Sequence, residues 1–539
     1  MSAMGNMFRK HAGIVAAGLL ALAMAAHAVE GQRRADLGNG FYRNPILAGD
    51  YPDPTIIREG GDYYMTFSSF DAVPGLIVWH SQDLVSWQPI GPALNAAVDS
   101  VWAPDLVKHA GRYFIYFVAV RTDPVTGAKA RKLFVVTAAN IRGPWSPPRE
   151  IAVRNAKGGN GATIDPGHAL GEDGKRYLFM AGGVRVQLRD DGLAVADGEA
   201  GIAQVVYQGW PYPEDWDVES FSMEGPKILR RGDYFYMVLA EGGTAGPPTG
   251  HMVIAARSRS IHGPWENAPG NPIIRTRDAS EPWWSRGHAT LIEGPDARWY
   301  MVYHGYENGY MTLGRQALLE PIEWTADGWF RAAGGNLVQP LPIPAGGKAV
   351  PHGMALSDSF TPERFDLVWR FFQPGDKERE RVALEGGVLS LAGKGSSPKD
   401  SVPLFLTAGD RAYEVEVTME FDEGAQAGIL LFYGKPLYVG LGFNAQGTVM
   451  HRYGQERHGA KLPHLTGRRV HVRMRNRHHI VTFFTSADGK AWSKYGVQME
   501  VSGYHQNVGG DFQALRPALY GAGKGRVRFS GFTYRAIAD

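Results

Sequence analysis

The chain has 539 residues and no cysteine. Disulfides, thiolate catalysis and structural zinc of the cysteine type are thereby excluded. A field of one charge sign is also lacking. The formal net charge is +2, and Arg9 and Lys10 in the acid-free first 28 residues account for it. The neutral remainder offers no electrostatic face to nucleic acid or to cationic partners. Long apolar runs are missing except at Ala12–Ala26. That run, of about 15 residues, falls short of the roughly 20 that span a bilayer. Arg9 and Lys10 precede it and the small-x-small pattern Ala26-His27-Ala28 follows it. Residues 1–28 therefore read as a cleaved secretory signal peptide. The expectation is an exported protein, periplasmic or extracellular, with no membrane attachment after cleavage. Beyond this segment no stretch sustains the 3.6-residue apolar period of a helix.

Short aromatic strands and turns are present instead. Five phrases repeat a polar leading residue, an apolar run, a turn and an aromatic strand. They are Asp53-Pro-Thr-Ile-Ile…Asp62-Tyr-Tyr, Asp105-Leu-Val…Gly111-Arg-Tyr-Phe, Asp165-Pro-Gly-His-Ala…Gly174-Lys-Arg-Tyr, Glu224-Gly-Pro-Lys-Ile…Gly232-Asp-Tyr-Phe and His288-Ala-Thr-Leu-Ile…Arg298-Trp-Tyr. Their leading residues are 52, 60, 59 and 64 apart. Such a period, with one strand–turn–strand unit each time, predicts the blades of a propeller. Equivalent blades would bring four carboxylates and one histidine to one end of a central channel. Trp87, Trp145 and Trp265, each after a polar turn, read as outer-strand corners packed between blades.

The predicted class is all-β: a five-bladed β-propeller over 41–340, a linker over 341–356 rich in proline and glycine, and a β-sandwich over 357–539. The sandwich rests on strict alternation in Tyr413–Phe421 and Arg469–Arg475, as half-buried strands require.

Three leading residues stand out for chemistry. Proline or glycine beside Asp53, Asp165 and Glu224 constrains the backbone and leaves a carboxylate at a strand entrance. Glycoside hydrolysis needs one carboxyl to protonate the leaving oxygen and another to act at the anomeric carbon or on a water. A third can keep the acid protonated near neutral pH.

Asn44-Pro-Ile-Leu…Tyr51-Pro-Asp-Pro-Thr, Val101-Trp-Ala-Pro-Asp105, Ile164-Asp-Pro-Gly, Glu224-Gly-Pro-Lys and Gly287-His-Ala, in this order, resemble glycoside hydrolase family 43. The resemblance implies a five-bladed propeller acting on xylosides and arabinosides with inversion. It implies Asp53 as general base, Glu224 as general acid and Asp165 as the third carboxylate. It further implies that Arg315 contacts substrate hydroxyls, that Phe70 and Trp102 wall the −1 subsite, and that His251 is a pocket histidine. His288 matches a histidine near a calcium or other ion in the channel, which an imidazole would hold through water, since calcium prefers oxygen. Asp105 is expected to be structural. The second domain resembles the concanavalin-like module of exo-acting members. Ala72 and Val73 stand where many members carry bulky aromatics, so a more open pocket wall is expected.

The main expectation is an exo-acting β-xylosidase on oligosaccharide or polysaccharide fragments. An α-L-arabinofuranosidase, or a galactosidase, is the alternative within the same chemistry, and a non-catalytic glycan-binding propeller the alternative outside it. The oligomeric state is left open by the sequence.

Overall fold

The computed structural model describes residues 33–538 except 124 and 466. The expected signal peptide lies outside the described residues. Five sheets, antiparallel except for the parallel pair Arg154–Asn155 with Ile202 and Ala203, follow one another along the first three-fifths of the chain. Their innermost strands are Thr55–Glu59, Asp105–His109, Gly167–Leu170, Met223–Arg231 and Trp283–Glu293. The second strands, such as Arg112–Thr122 and Trp299–Glu307, are buried along nearly their whole length. Neighbouring blades cover both of their faces, so they read as continuous aromatic and β-branched runs. Trp87 is fully buried and donates to the Leu84 carbonyl at 2.9 Å, and Trp265 meets Phe179 edge-on, as the corner reading expects.

The ring is closed by the N-terminal segment. Phe41–Tyr42 pairs with Leu341–Pro342, and Ile46 and Tyr51 donate to the carbonyls of Ala317 and Arg315 in the last blade. The segment expected to link the domains is packed on blade 1, where Gly353 donates to the Trp87 carbonyl and Trp87 donates to His352.

The repeat has a different register from the one its phrases suggest. Thr55, Asp105 and Lys227 stand at the same distance from matching two-residue turns, at Glu59↔Asp62, His109↔Arg112 and Arg231↔Tyr234. Asp105 is therefore equivalent to Thr55, and Ala103 to Asp53. The residues in register are Asp53, Ala103, Asp165, Gly225 and His288. Four of them share a left-handed backbone, with φ of 58°, 61°, 58° and 55° at Asp53, Asp165, Gly225 and His288. For the three non-glycine residues this costs on the order of 1–3 kcal/mol each. One layer deeper, Asp105 accepts from Thr55 Oγ1 at 3.2 Å, from the His168 amide at 2.7 Å and from Lys227 Nζ at 2.8 Å. It ties its own blade to three others below the site.

The second domain is a sandwich of two sheets around one apolar core, with seven of its strands in one sheet and eight in the other. Strands such as Ala412–Phe421 alternate because one face meets that core. A short helix, Pro362–Val368, was not expected from the sequence. At seven residues it is too short to display a helical period. One sheet continues into the propeller, since Ala72–Val73 pairs antiparallel with Arg370–Phe372.

Candidate active site

Asp53 is almost fully buried, and four side chains surround its carboxylate. Arg315 Nη1 donates to Oδ1 at 2.9 Å and Ser68 Oγ to Oδ2 at 2.5 Å, while His304 Nδ1 lies 3.1 Å and His288 Nδ1 3.4 Å from Oδ1. Burial alone would raise this carboxyl. The charges of Arg315 and His288 and the hydrogen bond from His304 outweigh it and hold Asp53 well below the usual carboxylate range.

The other face of the His288 ring meets the remaining two acids. Its Nε2 lies 3.4 Å from Asp165 Oδ2 and 3.5 Å from Glu224 Oε2. Burial opposes charge on the ring, but Asp53, Glu224 and Asp165 together raise its pKa, so it is an imidazolium to higher pH than usual. Asp165 is pushed up to about 7, by burial first and then by the charges of Glu224 and Asp53, against the pull of His288. Glu224 is lowered, because the hydrogen bond and charge of His288 exceed the effect of its burial. The two carboxyls titrate together, so the proton at about 7 belongs to the pair.

Local sequence explains how Glu224 reaches this cluster. It stands one residue before Gly225, at a bulge in strand Met223–Arg231. Gly225 places its amide 3.2 Å from Asp165 Oδ2, and a Cβ there would lie 2.8 Å from His288 Nδ1. Only glycine fits both this contact and the positive φ. Ser222 Oγ then orients Glu224 Oε1 at 2.8 Å.

Aromatic rings from both domains close the site. Phe70 and Trp102 are joined by Phe512 of the sandwich, stacked on Phe70 at 6.1 Å and edge-on to Trp102 at 5.5 Å. The Arg315 guanidinium lies 5.1 Å from the Phe512 ring centroid and 5.6 Å from that of Phe70. The expected open wall at Ala72–Val73 is thus corrected. Those small residues pair with the sandwich, and Phe512 supplies the bulk from the other domain. Outside the rings, a cavity of about 670 Å³ is lined by Trp102, Phe512 and Glu224 among others.

Comparison with known proteins agrees with this geometry. Residues 42–330 match the family model "Glycosyl hydrolases family 43", and residues 357–535 match "Beta xylosidase C-terminal Concanavalin A-like domain". The chain belongs to glycosyl hydrolase family 43. A non-reducing end α-L-arabinofuranosidase of Bacteroides ovatus is 31% identical over 421 residues, 73% of this chain and 74% of that protein. A xylan 1,3-β-xylosidase of a Vibrio species is 33% identical over 330 residues, covering 56% and 59%. A β-xylosidase of Bacillus subtilis is 30% identical over 328 residues, covering 54% and 57%, so the match spans under two-thirds of these last two. The solved family 43 protein BlXynB of Bacillus licheniformis superposes with a TM-score of 0.79 at 26% identity, covering 92% of this chain and 100% of that one.

In this glycoside hydrolase the sequence-expected acids Asp53, Asp165 and Glu224 converge with His288 and Arg315, and Phe70 and Trp102 stand at the mouth. His251 stands beside His288 and His304 in this cluster. It is fully buried, its Nδ1 held at 2.6 Å by the Gly242 carbonyl, with its ring centroid 5.8 Å from that of His288. A Cβ on Gly287 would lie 2.0 Å from its ring. Ser68, His304 and Phe512 were missed. His304 had a signal, a polar residue inside the buried strand Trp299–Glu307, whereas Phe512 had none.

The donor set also bears on the expected calcium. One ligand atom each from Asp165, Glu224 and His288 lie within 4.8 Å of one another. Calcium takes six to eight oxygens, and this cluster offers two carboxylates and a ring whose nitrogens both face carboxylates. Two carboxylates fall well short of that number, so the set does not fit calcium.

Proposed function

We propose that this family 43 enzyme is an exported, exo-acting, inverting β-xylosidase. One observation carries the reading: the carboxylates of Asp53 and Glu224 face opposite nitrogens of His288, with Asp165 beside Glu224. An imidazole between two carboxylates supports the wide separation of an inverting pair, about 6.5–9.5 Å, over the roughly 5 Å of a double displacement.

Asp53, ionised throughout the working range, takes the proton of the attacking water. Glu224 lines the cavity and Asp165 does not, so Glu224 is the member of the pair that delivers the shared proton to the leaving oxygen. Asp165 holds that proton in reserve and returns it to Glu224. His288 balances the three negative charges, and Arg315 fixes Asp53. The buried inner end behind the aromatic rings supports removal of one terminal sugar at a time. The xylosidase names of several relatives and of the matching second-domain family support xylose as that sugar. The apolar run Ala12–Ala26 after Arg9 and Lys10 supports export.

An α-L-arabinofuranosidase is the second reading, favoured by the Bacteroides ovatus relative whose match runs on into the sandwich domain. Aryl β-xylopyranoside, α-L-arabinofuranoside and β-galactopyranoside, assayed side by side, decide between them. The anomer first released, followed by proton NMR, tests inversion. Asp53→Ala and Glu224→Ala should fold and lose most activity; full activity in either removes the assignment.

A further inference from the structure

A strip of aromatic rings leaves the catalytic cavity on the side of Glu224. Phe221 lines that cavity and is 54% exposed. Its ring is nearly parallel to Tyr212 at 5.9 Å, and Tyr212 is nearly parallel to Trp216 at 6.5 Å. Trp216 in turn lines a second, separate groove of about 890 Å³, together with Asn271, Arg275 and Asn336. The Arg275 guanidinium covers one face of Trp216 at 3.6 Å. Phe221 lines the first cavity and Trp216 the second, with Tyr212 between the two rings. The loop that carries them is rooted, because the Trp210 amide donates to the buried Glu241 Oε1 at 3.0 Å.

We infer that this strip and groove form an extended binding site for the leaving-group side of a β-linked pyranose chain. The inference rests on the proposed function. If Glu224 protonates the leaving oxygen, the remainder of the chain must depart past Glu224, and Phe221 is the apolar surface it meets there. Flat rings spaced on the scale of one sugar suit the C–H faces of successive pyranoses. The arginine and asparagine side chains of the groove suit their hydroxyls. Phe221 remains exposed beside a catalytic cavity, where an apolar ring marks a contact site. The established family chemistry needs only the terminal sugar; this strip adds recognition of chain length.

The test compares kcat/KM on xylobiose, xylotetraose and xylohexaose for the wild type, Tyr212→Ala, Trp216→Ala and Trp216→Phe, with thermal melts to confirm folding. The wild type should favour xylohexaose. Either alanine variant should lower the hexaose-to-biose ratio about tenfold, the scale of one lost aromatic contact. Trp216→Phe should retain most of the preference. In a second arm, calorimetry on the Glu224→Gln protein compares xylohexaose with α-1,5-linked arabinohexaose, and only the former should gain affinity from Tyr212 and Trp216. If Trp216→Ala does not fold, Tyr212→Ala and Trp216→Phe give the same reading. An unchanged ratio in folded variants, no preference for length in the wild type, or an equal gain for arabinohexaose overturns the inference. A wild type that cleaves no xyloside removes the proposed function instead, and the calorimetric arm still decides the strip.

Discussion

Arg315 and Asp53 are joined twice, Nη1 to Oδ1 at 2.9 Å and Nη2 to Oδ2 at 3.4 Å, although 262 residues separate them. One opens the third strand of the last blade, and the other precedes the first blade. Closure of the ring makes the pair, and the pair in turn sets the charge state of the residue assigned as base.

Removing the guanidinium has a defined direction. Asp53 is held low, so its stabilising contribution is present above the usual carboxylate range and is lost as pH falls through its native pKa. Arg315→Ala leaves a buried carboxylate without its cation and should cost about 3–5 kcal/mol of stability at neutral pH. The acid limb of kcat/KM should move to higher pH. Urea unfolding and a pH–rate profile check both, and an acid limb that does not move would show that Arg315 does not hold Asp53.

The alkaline limb reports the other acids. The Asp165–Glu224 pair loses its proton as pH rises through about 7, and above that pH kcat/KM should fall about tenfold per unit. Asp165→Asn removes a negative charge beside Glu224, which then ionises at lower pH. The limb should shift toward acid and kcat should drop about ten- to a hundredfold. A limb left in place would exclude Asp165 as the partner that tunes Glu224.

Phe512 makes the sandwich part of the active site. Phe512→Ala should lower kcat/KM on an aryl xyloside about tenfold, mainly through KM, because the ring binds ground state and transition state alike. A double-mutant cycle with Phe70→Ala should return a coupling of about 0.5–1.5 kcal/mol from the stacked pair. Additive losses would mean that the two rings do not act together.

The channel chemistry is checked by chelation. Because the Asp165, Glu224 and His288 donors do not fit calcium, dialysis against a chelator should leave aryl glycosidase activity within about twofold. A larger loss, restored by added calcium, would place an ion at His288.

The acids were legible because each sits in a short rigid phrase: Pro-Asp-Pro at Asp53, Ile-Asp-Pro-Gly at Asp165 and Met-Glu-Gly-Pro at Glu224. Proline and glycine restrict the backbone locally, so their meaning survives without knowledge of the fold. The repeat was legible too, but its register was not. Asp105 imitates the leading residue of the phrase while occupying the position of Thr55, because a polar side chain at a strand entrance looks the same in sequence at either layer.

By itself the sequence determined the all-β class, the five units, the sandwich and three acids that meet at one histidine, since strand alternation and turn chemistry act over a few residues. Tertiary structure decided which side chains share the ring, that His288 stands between the carboxylates, and that Phe512 arrives from the other domain. Those relations depend on closing a chain of some 300 residues into a circle and docking a second domain on its rim. Contacts between such distant residues leave no local pattern to read.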